Sequence, residues 1–167
     1  MKTIFITGTN SGIGLATAKR FDQLGWRVLA GVLESDDTSE LKASLSERAH
    51  ILPIDISRES DILRARDHIA GILGDGGLDG LVNNAGIAVT GPIEALPMEA
   101  IRQQFEVNFF GHISVTQVLL PHIRRAQGRI VNIASILGRV TVPFSAPYCA
   151  SKYAMEAYTD SLRMELM

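Results

Sequence analysis

Short apolar runs alternate along the chain with stretches in which apolar residues recur at helical spacing. Five runs have the length and β-branched character of strands, at residues 3–7, 27–33, 50–55, 78–86 (with the loop that follows) and 128–135. Their centres are continuous apolar runs, without a regular alternation of apolar and polar residues. This pattern is typical of parallel strands that are covered on both faces.

Helical patterns separate these strands. They predict helices over residues 11–26, within the polar stretch after the second strand, near 58–73, once or twice within 97–125, and over 148–167. Gly25 suits the left-handed residue that often ends a helix, so the first helix should stop there. The β-α alternation predicts an α/β fold, a doubly wound, Rossmann-like parallel sheet with helices on both faces. No repeat or linker interrupts it, so residues 1–167 should form a single domain.

Composition and charge narrow the partners. The chain is 46% hydrophobic and 20% charged, which predicts a folded domain and not a disordered one. A net charge of −2 provides no attraction for nucleic acid or an anionic membrane. The longest stretch without Asp, Glu, Lys or Arg, residues 107–123, contains Asn, Gln and two His, and so predicts a buried helix and no membrane span.

Cysteine and histidine usage is sparse. Cys149 is the only cysteine, so no disulfide can form within one chain, which fits a reducing cytoplasmic location. The four histidines are scattered and predict no metal site. His112 and Cys149 suggest only ordinary buried residues.

A glycine-rich loop joins the first strand to the first helix. The segment TGTNSGIG, residues 7–14, places Gly8, Gly12 and Gly14 where the chain must turn and let a ligand approach. The free N–H groups and positive dipole end of the following helix suit a pyrophosphate. The segment therefore predicts dinucleotide binding; the alternative is a glycine-rich turn without a ligand.

The segment YCASK, residues 148–152, puts Tyr148 one helical turn before Lys152. A cation at that distance stabilises a phenolate and would tune the tyrosine for proton transfer. The alternative is a core-facing tyrosine beside a lysine whose charged end reaches solvent.

The glycine loop, NNAG at 83–86, SILG at 135–138 and YCASK occur in the order seen in the short-chain dehydrogenase/reductase family, which the whole chain resembles. Within that family, the sequences RVLAGVL and GRIVNIASILGR are most similar to the branch of retinol, hydroxysteroid and 3-hydroxybutyrate dehydrogenases. The resemblance implies an oxidoreductase that transfers a hydride between a nicotinamide dinucleotide and a secondary alcohol or ketone, or a related lipophilic alcohol or carbonyl compound.

By the same resemblance, the catalytic residues are Asn108, Ser135, Tyr148 and Lys152. Tyr148 would transfer the proton, Lys152 would tune it and bind the ribose, Ser135 would hold the substrate oxygen, and Asn108 would support a water-linked proton relay. Two alternatives stay open. Ser135 also suits a turn or a helix cap, and Asn108 also suits an amide satisfied by a neighbouring carbonyl.

The resemblance also implies a set of cofactor contacts: Gly8, Asn10, Ser11, Gly12, Ile13, Gly14, Asp55, Ile56, Asn84, Ala85, Gly86, Tyr148 and Lys152. In the family, the residue matching Asp55 lies beside the adenine ring. Its alternative role is to cap the next helix. The alternative for residues 84–86 is a simple turn.

The residues after the second strand favour NAD over NADP. Gly31 stands where many NAD-using relatives carry Asp, but no basic residue lies between Arg27 and Lys42 to bind a 2′-phosphate. Ser11 occupies a position where many NADP-using relatives carry Arg or Lys. The acidic residues Glu34, Asp36 and Asp37 would repel the phosphate, so NAD is expected and NADP is the second candidate.

The chain stops inside a helix, at SLRMELM, whereas members of the family continue into further strands and a segment that closes over the substrate. We therefore expect a piece of a longer enzyme that lacks the C-terminal strands, with residues 128–135 at the edge of the sheet. By resemblance, the helices at 104–125 and 148–167 would pair in a homodimer or homotetramer. The apolar segments at 91–96 and 140–147 favour a lipophilic small-molecule substrate.

Two competing functions remain. The chain could be a dinucleotide-binding protein without catalysis, either regulatory or inactivated by truncation. A hydrolase that uses Ser135 is the weaker option, because no G-x-S-x-G elbow surrounds this serine and no His or acidic partner lies near it in sequence.

Overall fold

The computed structural model describes residues 1–167, and its central feature is a five-stranded parallel sheet. The strands are β1 Thr3–Ile6, β2 Arg27–Val32, β3 His50–Pro53, β4 Gly80–Asn83 and β5 Arg129–Asn132. Their order is β3-β2-β1-β4-β5, and every neighbouring pair is parallel. The direction of winding reverses between β1 and β4, so their carboxyl ends border a crevice of the kind in which doubly wound sheets bind ligands.

Six α-helices surround the sheet. They are α1 Gly12–Gln23, α2 Ser39–Ser44, α3 Glu59–Leu73, α4 Met98–Phe105, α5 Gly111–Ala126 and α6 Ala146–Glu165. One π-helical turn, Glu106–Phe110, joins α4 to α5, and a 3₁₀ turn, Ile136–Gly138, follows β5. The predicted β-α alternation and the doubly wound fold are confirmed. The one or two helices expected within 97–125 form one helical segment that the π turn interrupts.

Both faces of the sheet are buried along its central strands β1, β2 and β4, which explains the apolar runs there. Phe5 and Leu29 point into a core covered by α3 and α5. Their neighbours Ile4, Ile6 and Val28 point the other way, into a second core covered by α1 and α2. Burying each large aliphatic or aromatic side chain contributes roughly 1.5–3 kcal/mol, so these two cores supply most of the driving force for folding.

The C-terminus of α1 shows how local sequence sets the start of β2. Gly25 adopts φ +81°, and its N–H donates to the carbonyl of Asp22 at 2.9 Å. The N–H of Trp26 donates to the carbonyl of Phe21 at 3.1 Å, and the two rings meet edge to face with centroids 4.9 Å apart. This Schellman motif, with its apolar contact, confirms that Gly25 ends the helix.

Strand β5 lies at the edge of the sheet, as expected. It pairs with β4 on one side only. Val131 on β5 is 49% exposed, whereas Val82, its partner on β4, is 5% exposed.

Candidate active site

The glycine loop lies at the carboxyl end of β1, and two of its glycines are required by close contacts. A Cβ on Gly14 would collide with the carbonyl oxygen of Gly8. A Cβ on Gly8 would lie 2.8 Å from the Cα of Ala85, and Gly8 also has φ +68°. Gly12 has φ +54°, and a Cβ there would meet nothing within 4 Å. The loop is therefore tightly packed at Gly8 and Gly14 and open at Gly12, which lets a ligand approach its backbone there.

The first turn of α1 faces this open side. Ser11 occupies the N-cap position without a side-chain cap bond, and no acidic residue lies in the first turn. The backbone N–H groups there and the helix dipole suit an anionic pyrophosphate. Asn10, just before the cap, has a buried Oδ1 without a hydrogen-bond partner. These features fit the dinucleotide that the sequence predicts.

Hydrogen bonds fasten the segment after β4 to the glycine loop. The side chain of Asn84 donates to the carbonyls of Thr7, at 2.9 Å, and Gly8, at 2.8 Å. The hydroxyl of Thr7 accepts from the backbone N–H groups of Asn84 and Ala85, both at 3.0 Å. Residues 84–86 are thus more than a simple turn, because they brace the loop from below. Thr7 was not among the predicted site residues.

Asp55 stabilises the loop after β3 and does not cap α3. Its Oδ1 accepts from the N–H of Ser57 at 3.0 Å and from the Ser57 hydroxyl at 2.6 Å. Arg58 is the N-cap residue of α3, so the alternative role of Asp55 as a cap is wrong. Ile56 is 4% exposed and belongs to the core, so any contact it makes with a cofactor must come from its main chain.

Tyr148 and Lys152 lie one turn apart on α6, as predicted. The Nζ of Lys152 is 5.8 Å from the centroid of the Tyr148 ring and donates to the carbonyl of Ile133 at 2.8 Å. Lys152 is only 4% exposed, so the alternative of a surface lysine is wrong. Burial lowers the pKa of Lys152. The ammonium is held just beyond the carboxyl end of β5, beside the half-buried ring of Tyr148.

Ser135 follows β5 and begins the 3₁₀ turn. Its Oγ accepts from the N–H of Leu137 at 3.1 Å, so it caps this turn, as one of the two alternatives proposed. A hydroxyl that accepts one hydrogen bond still has its own proton to donate. The capping role fixes the side chain and leaves that proton available to a substrate oxygen.

Asn108 lies in the π turn and is fully buried. Its side-chain amide forms a reciprocal pair with the main chain of Ile87: Oδ1 accepts from the N–H, and Nδ2 donates to the carbonyl, both at 2.9 Å. Nδ2 also lies 3.4 Å from the hydroxyl of Ser151 on α6. The amide is therefore satisfied by the main chain, and it links the segment after Gly86 to the helix that carries Tyr148. Single π turns often mark functional sites.

Gln104, four residues before Asn108, also holds this segment. It accepts from the N–H of Val89 at 2.6 Å and donates to the carbonyl of Ile87 at 2.8 Å. Gln104 was not predicted as a site residue, although it is completely buried. The sequence feature that could have identified Gln104 is its position one helical turn before Asn108, on the same face of the helical segment.

His112, four residues after Asn108, was predicted to be an ordinary buried residue, yet it contacts Ala85 in the segment at residues 84–86. It is 2% exposed, and its Nε2 lies 2.8 Å from the carbonyl oxygen of Ala85. Because a carbonyl only accepts, Nε2 carries the proton; Nδ1 is buried without a partner. Burial, and then the charge of Lys152, lower the pKa of His112 to about 4, so the ring is neutral near pH 7.

Comparison with known proteins matches this arrangement to a family. The family model of the short chain dehydrogenases matches residues 2–167, and the chain belongs to that family. It is 42% identical over 166 residues to retinol dehydrogenase 16 of Mus musculus and 44% identical over 166 residues to 17-beta-hydroxysteroid dehydrogenase type 6 of Bos taurus. Each match covers 99% of this chain and 52% of the relative. The chain thus spans about half the length of these curated relatives, and the predicted branch is confirmed.

Solved structures agree on the fold. A short-chain dehydrogenase from Streptomyces avermitilis has a TM-score of 0.91 at 30% identity, and the match covers 99% of this chain and 60% of that one. An alcohol dehydrogenase from the archaeon Thermococcus sibiricus, complexed with 5-hydroxy-NADP, also has a TM-score of 0.91. Its identity is 23%, and the match covers 99% of this chain and 71% of that one.

No helix of this chain combines the length and apolar character needed to cross a membrane.

Proposed function

We propose that this chain carries the cofactor-binding and proton-transferring part of a nicotinamide-dependent oxidoreductase that interconverts a lipophilic secondary alcohol and its ketone. The observation that carries the proposal is the buried ammonium of Lys152 beside the ring of Tyr148. The pair lies at the end of the sheet that also bears the glycine cradle. Relatives named for retinol and for 17-beta-hydroxysteroid support the lipophilic substrate class.

The residues divide the work between binding and proton transfer. Hydride transfer is the chemistry that the bound cofactor supplies. The backbone N–H groups of the first turn of α1 would hold its pyrophosphate, and Lys152 would hydrogen-bond the ribose. The phenol of Tyr148 would donate a proton to the ketone oxygen in reduction and accept the alcohol proton in oxidation. Ser135 would donate its hydroxyl proton to the same oxygen and fix its position.

We further propose NAD as the preferred cofactor, because the chain after β2 carries negative charge. Asp36 accepts from the N–H of Leu33 at 2.9 Å, which holds a carboxylate directly at the end of β2. Hydrogen bonds from Ser39 lower the pKa of the exposed Asp37, so it stays ionised. Gly31 lies inside β2, where a Cβ would approach Ile54 and Ile6 to 3.1 Å. The acidic loop and not this position would therefore discriminate against a 2′-phosphate.

The cofactor proposal is tested by measuring kcat/KM of the full-length protein with NAD and with NADP. We expect NAD to be preferred by about tenfold or more, which corresponds to about 1.4 kcal/mol of discrimination. The double variant Asp36→Asn, Asp37→Asn should narrow the ratio by weakening the repulsion. A strong NADP preference in the wild-type protein would refute this part of the proposal.

The catalytic proposal is tested with Tyr148→Phe, which keeps the ring beside Lys152 and removes the hydroxyl. Loss of the acid/base group should lower kcat by about 10²–10⁴-fold. The Kd for NADH, followed by its fluorescence, should change little, because the glycine cradle is intact. If wild-type protein binds NADH and turns over no alcohol or ketone, the chain is a dinucleotide-binding protein without this activity.

A further inference from the structure

Phe144 has a backbone conformation that its side chain does not favour. It adopts φ +63°, and the only other non-glycine residue with positive φ is Gln127, at φ +51°. Glycine, asparagine and aspartate enter this left-handed region most readily, whereas a bulky residue there is strained. The Phe144 side chain is also 64% exposed, so its apolar surface faces water.

A helix end accounts for the positive φ of Gln127, but no helix end accounts for that of Phe144. Gln127 is the C-cap of α5, where its N–H donates to the carbonyl of Arg124 at 3.1 Å. A left-handed residue at a helix end satisfies carbonyls that would otherwise lack donors. Phe144 ends no helix and belongs to neither core. Its strained backbone and its exposed ring therefore cost stability, and the ring contributes to neither core.

One hydrogen bond holds Phe144 in this conformation. Its carbonyl accepts from the N–H of Gly91 at 2.7 Å. Gly91 itself has φ +154°, and it lies in the segment that follows the cofactor loop at residues 84–86. The bond joins that segment to the residues that lead into α6, four positions before Tyr148. Exposed apolar side chains accompany Phe144 on both segments: Ile93, 62% exposed, and Val142, 43% exposed.

Residues kept in strained conformations at the border of a site are a reason to infer function. We propose that Phe144 is a specificity-determining residue whose ring contacts the hydrocarbon part of a lipophilic alcohol or ketone. This inference rests on the oxidoreductase function proposed above. It explains why an exposed, strained aromatic residue lies four positions before the proton-transferring tyrosine.

The test compares three variants of the full-length protein. Phe144→Gly removes the ring and the strain together, Phe144→Leu keeps a large apolar side chain, and Gln127→Gly removes similar strain at the far end of α5. The measurements are the melting temperature and kcat/KM for a short secondary alcohol, 2-butanol, and a long one, 2-decanol.

We expect Phe144→Gly to melt about 2 °C higher than wild type and to lose about tenfold in kcat/KM for 2-decanol relative to 2-butanol. Phe144→Leu should keep the wild-type ratio to within about threefold, because its apolar volume is similar. Gln127→Gly should also melt higher, with kcat/KM for both alcohols unchanged.

Three results would overturn the inference while leaving the proposed function in place. Phe144→Gly could melt lower, which would make the ring a packing residue; it could lower kcat/KM for both alcohols equally; or it could leave the ratio unchanged. If the wild-type protein turned over neither alcohol with NAD or NADP, the proposed function and this inference would fail together.

Discussion

At the scale of single residues, the site depends on polar groups that are buried and individually oriented. Lys152 is held by one carbonyl, and Asn108 is paired with the main chain of Ile87. His112 is kept in one tautomer by the carbonyl of Ala85. A buried polar group without such a partner would cost roughly 1–3 kcal/mol, so these bonds both pay for burial and fix geometry.

His112 gives the protein a specific pH dependence of stability. Its pKa is about 4 in the folded chain, whereas the pKa of a histidine in an unfolded chain is about 6.5. Between these values the unfolded chain binds a proton that the folded chain does not, so the free energy of unfolding falls as the pH falls from about 6.5 to about 4. The loss should approach about 3 kcal/mol.

This dependence is measured by urea unfolding at pH 7.5 and at several lower pH values. His112→Gln keeps a side-chain amide that can donate to the Ala85 carbonyl and cannot take up a proton, so its curve should be flatter by that amount. His68→Gln, at an exposed position on α3, is the matched control and should retain the wild-type slope. Equal slopes for wild type and His112→Gln would contradict the prediction.

At the scale of elements, the helical segment from α4 through the π turn to α5 supports the main chain at residues 85–89, after β4. Gln104, Asn108 and His112 follow one another at intervals of four residues, and each bonds main-chain atoms between residues 85 and 89. Because the π turn lies between α4 and α5, it places Asn108 where it can reach both this segment and Ser151 on α6. The main chain at residues 85–89 is thereby held in place by side chains of one helical segment.

Two glycines in helices show opposite requirements. Gly14→Ala would drive a Cβ into the carbonyl of Gly8. It should therefore weaken NADH binding by roughly tenfold or more and lower the free energy of unfolding. Gly71→Ala lies inside α3, where a Cβ would meet nothing within 4 Å. It should raise the free energy of unfolding by about 0.5–1 kcal/mol and leave NADH binding unchanged.

NADH fluorescence titration and urea unfolding of the two variants check this contrast. Gly14→Ala protein that bound NADH with wild-type affinity would show that the close approach at the glycine loop is not needed for the cofactor.

At the scale of the whole molecule, the sheet has two edge strands, β3 and β5, each of which pairs with a neighbour on one side only. Such an edge offers free N–H and C=O groups to another chain, and a charged side chain there hinders pairing. Val131→Lys should therefore lower the self-association of the 167-residue chain severalfold, as measured by light scattering. Val142→Lys, which is similarly exposed but outside the sheet, is the control and should have a smaller effect. Equal effects of the two substitutions would show that exposed apolar area, and not the strand edge, drives the association.

Much of this architecture could be predicted because its signals are local in the chain. The apolar runs that became strands, Gly25 at the end of α1 and the one-turn spacing of Tyr148 and Lys152 each depend on residues close together in sequence. Burial on both faces of a strand demands an unbroken apolar run, and a helical turn places residues four apart on the same face. The family resemblance supplied the roles that these patterns could not specify.

The sequence by itself determined the strands, the helices, the glycine loop and the candidate proton donor with its neighbouring cation. Only the tertiary structure decided that Lys152 is buried on the carbonyl of Ile133, that His112 holds Ala85, and that Gly91 fixes Phe144 in a left-handed conformation. The physical reason is distance along the chain. These contacts join residues 19, 27 and 53 positions apart, where no local periodicity reports which groups will meet.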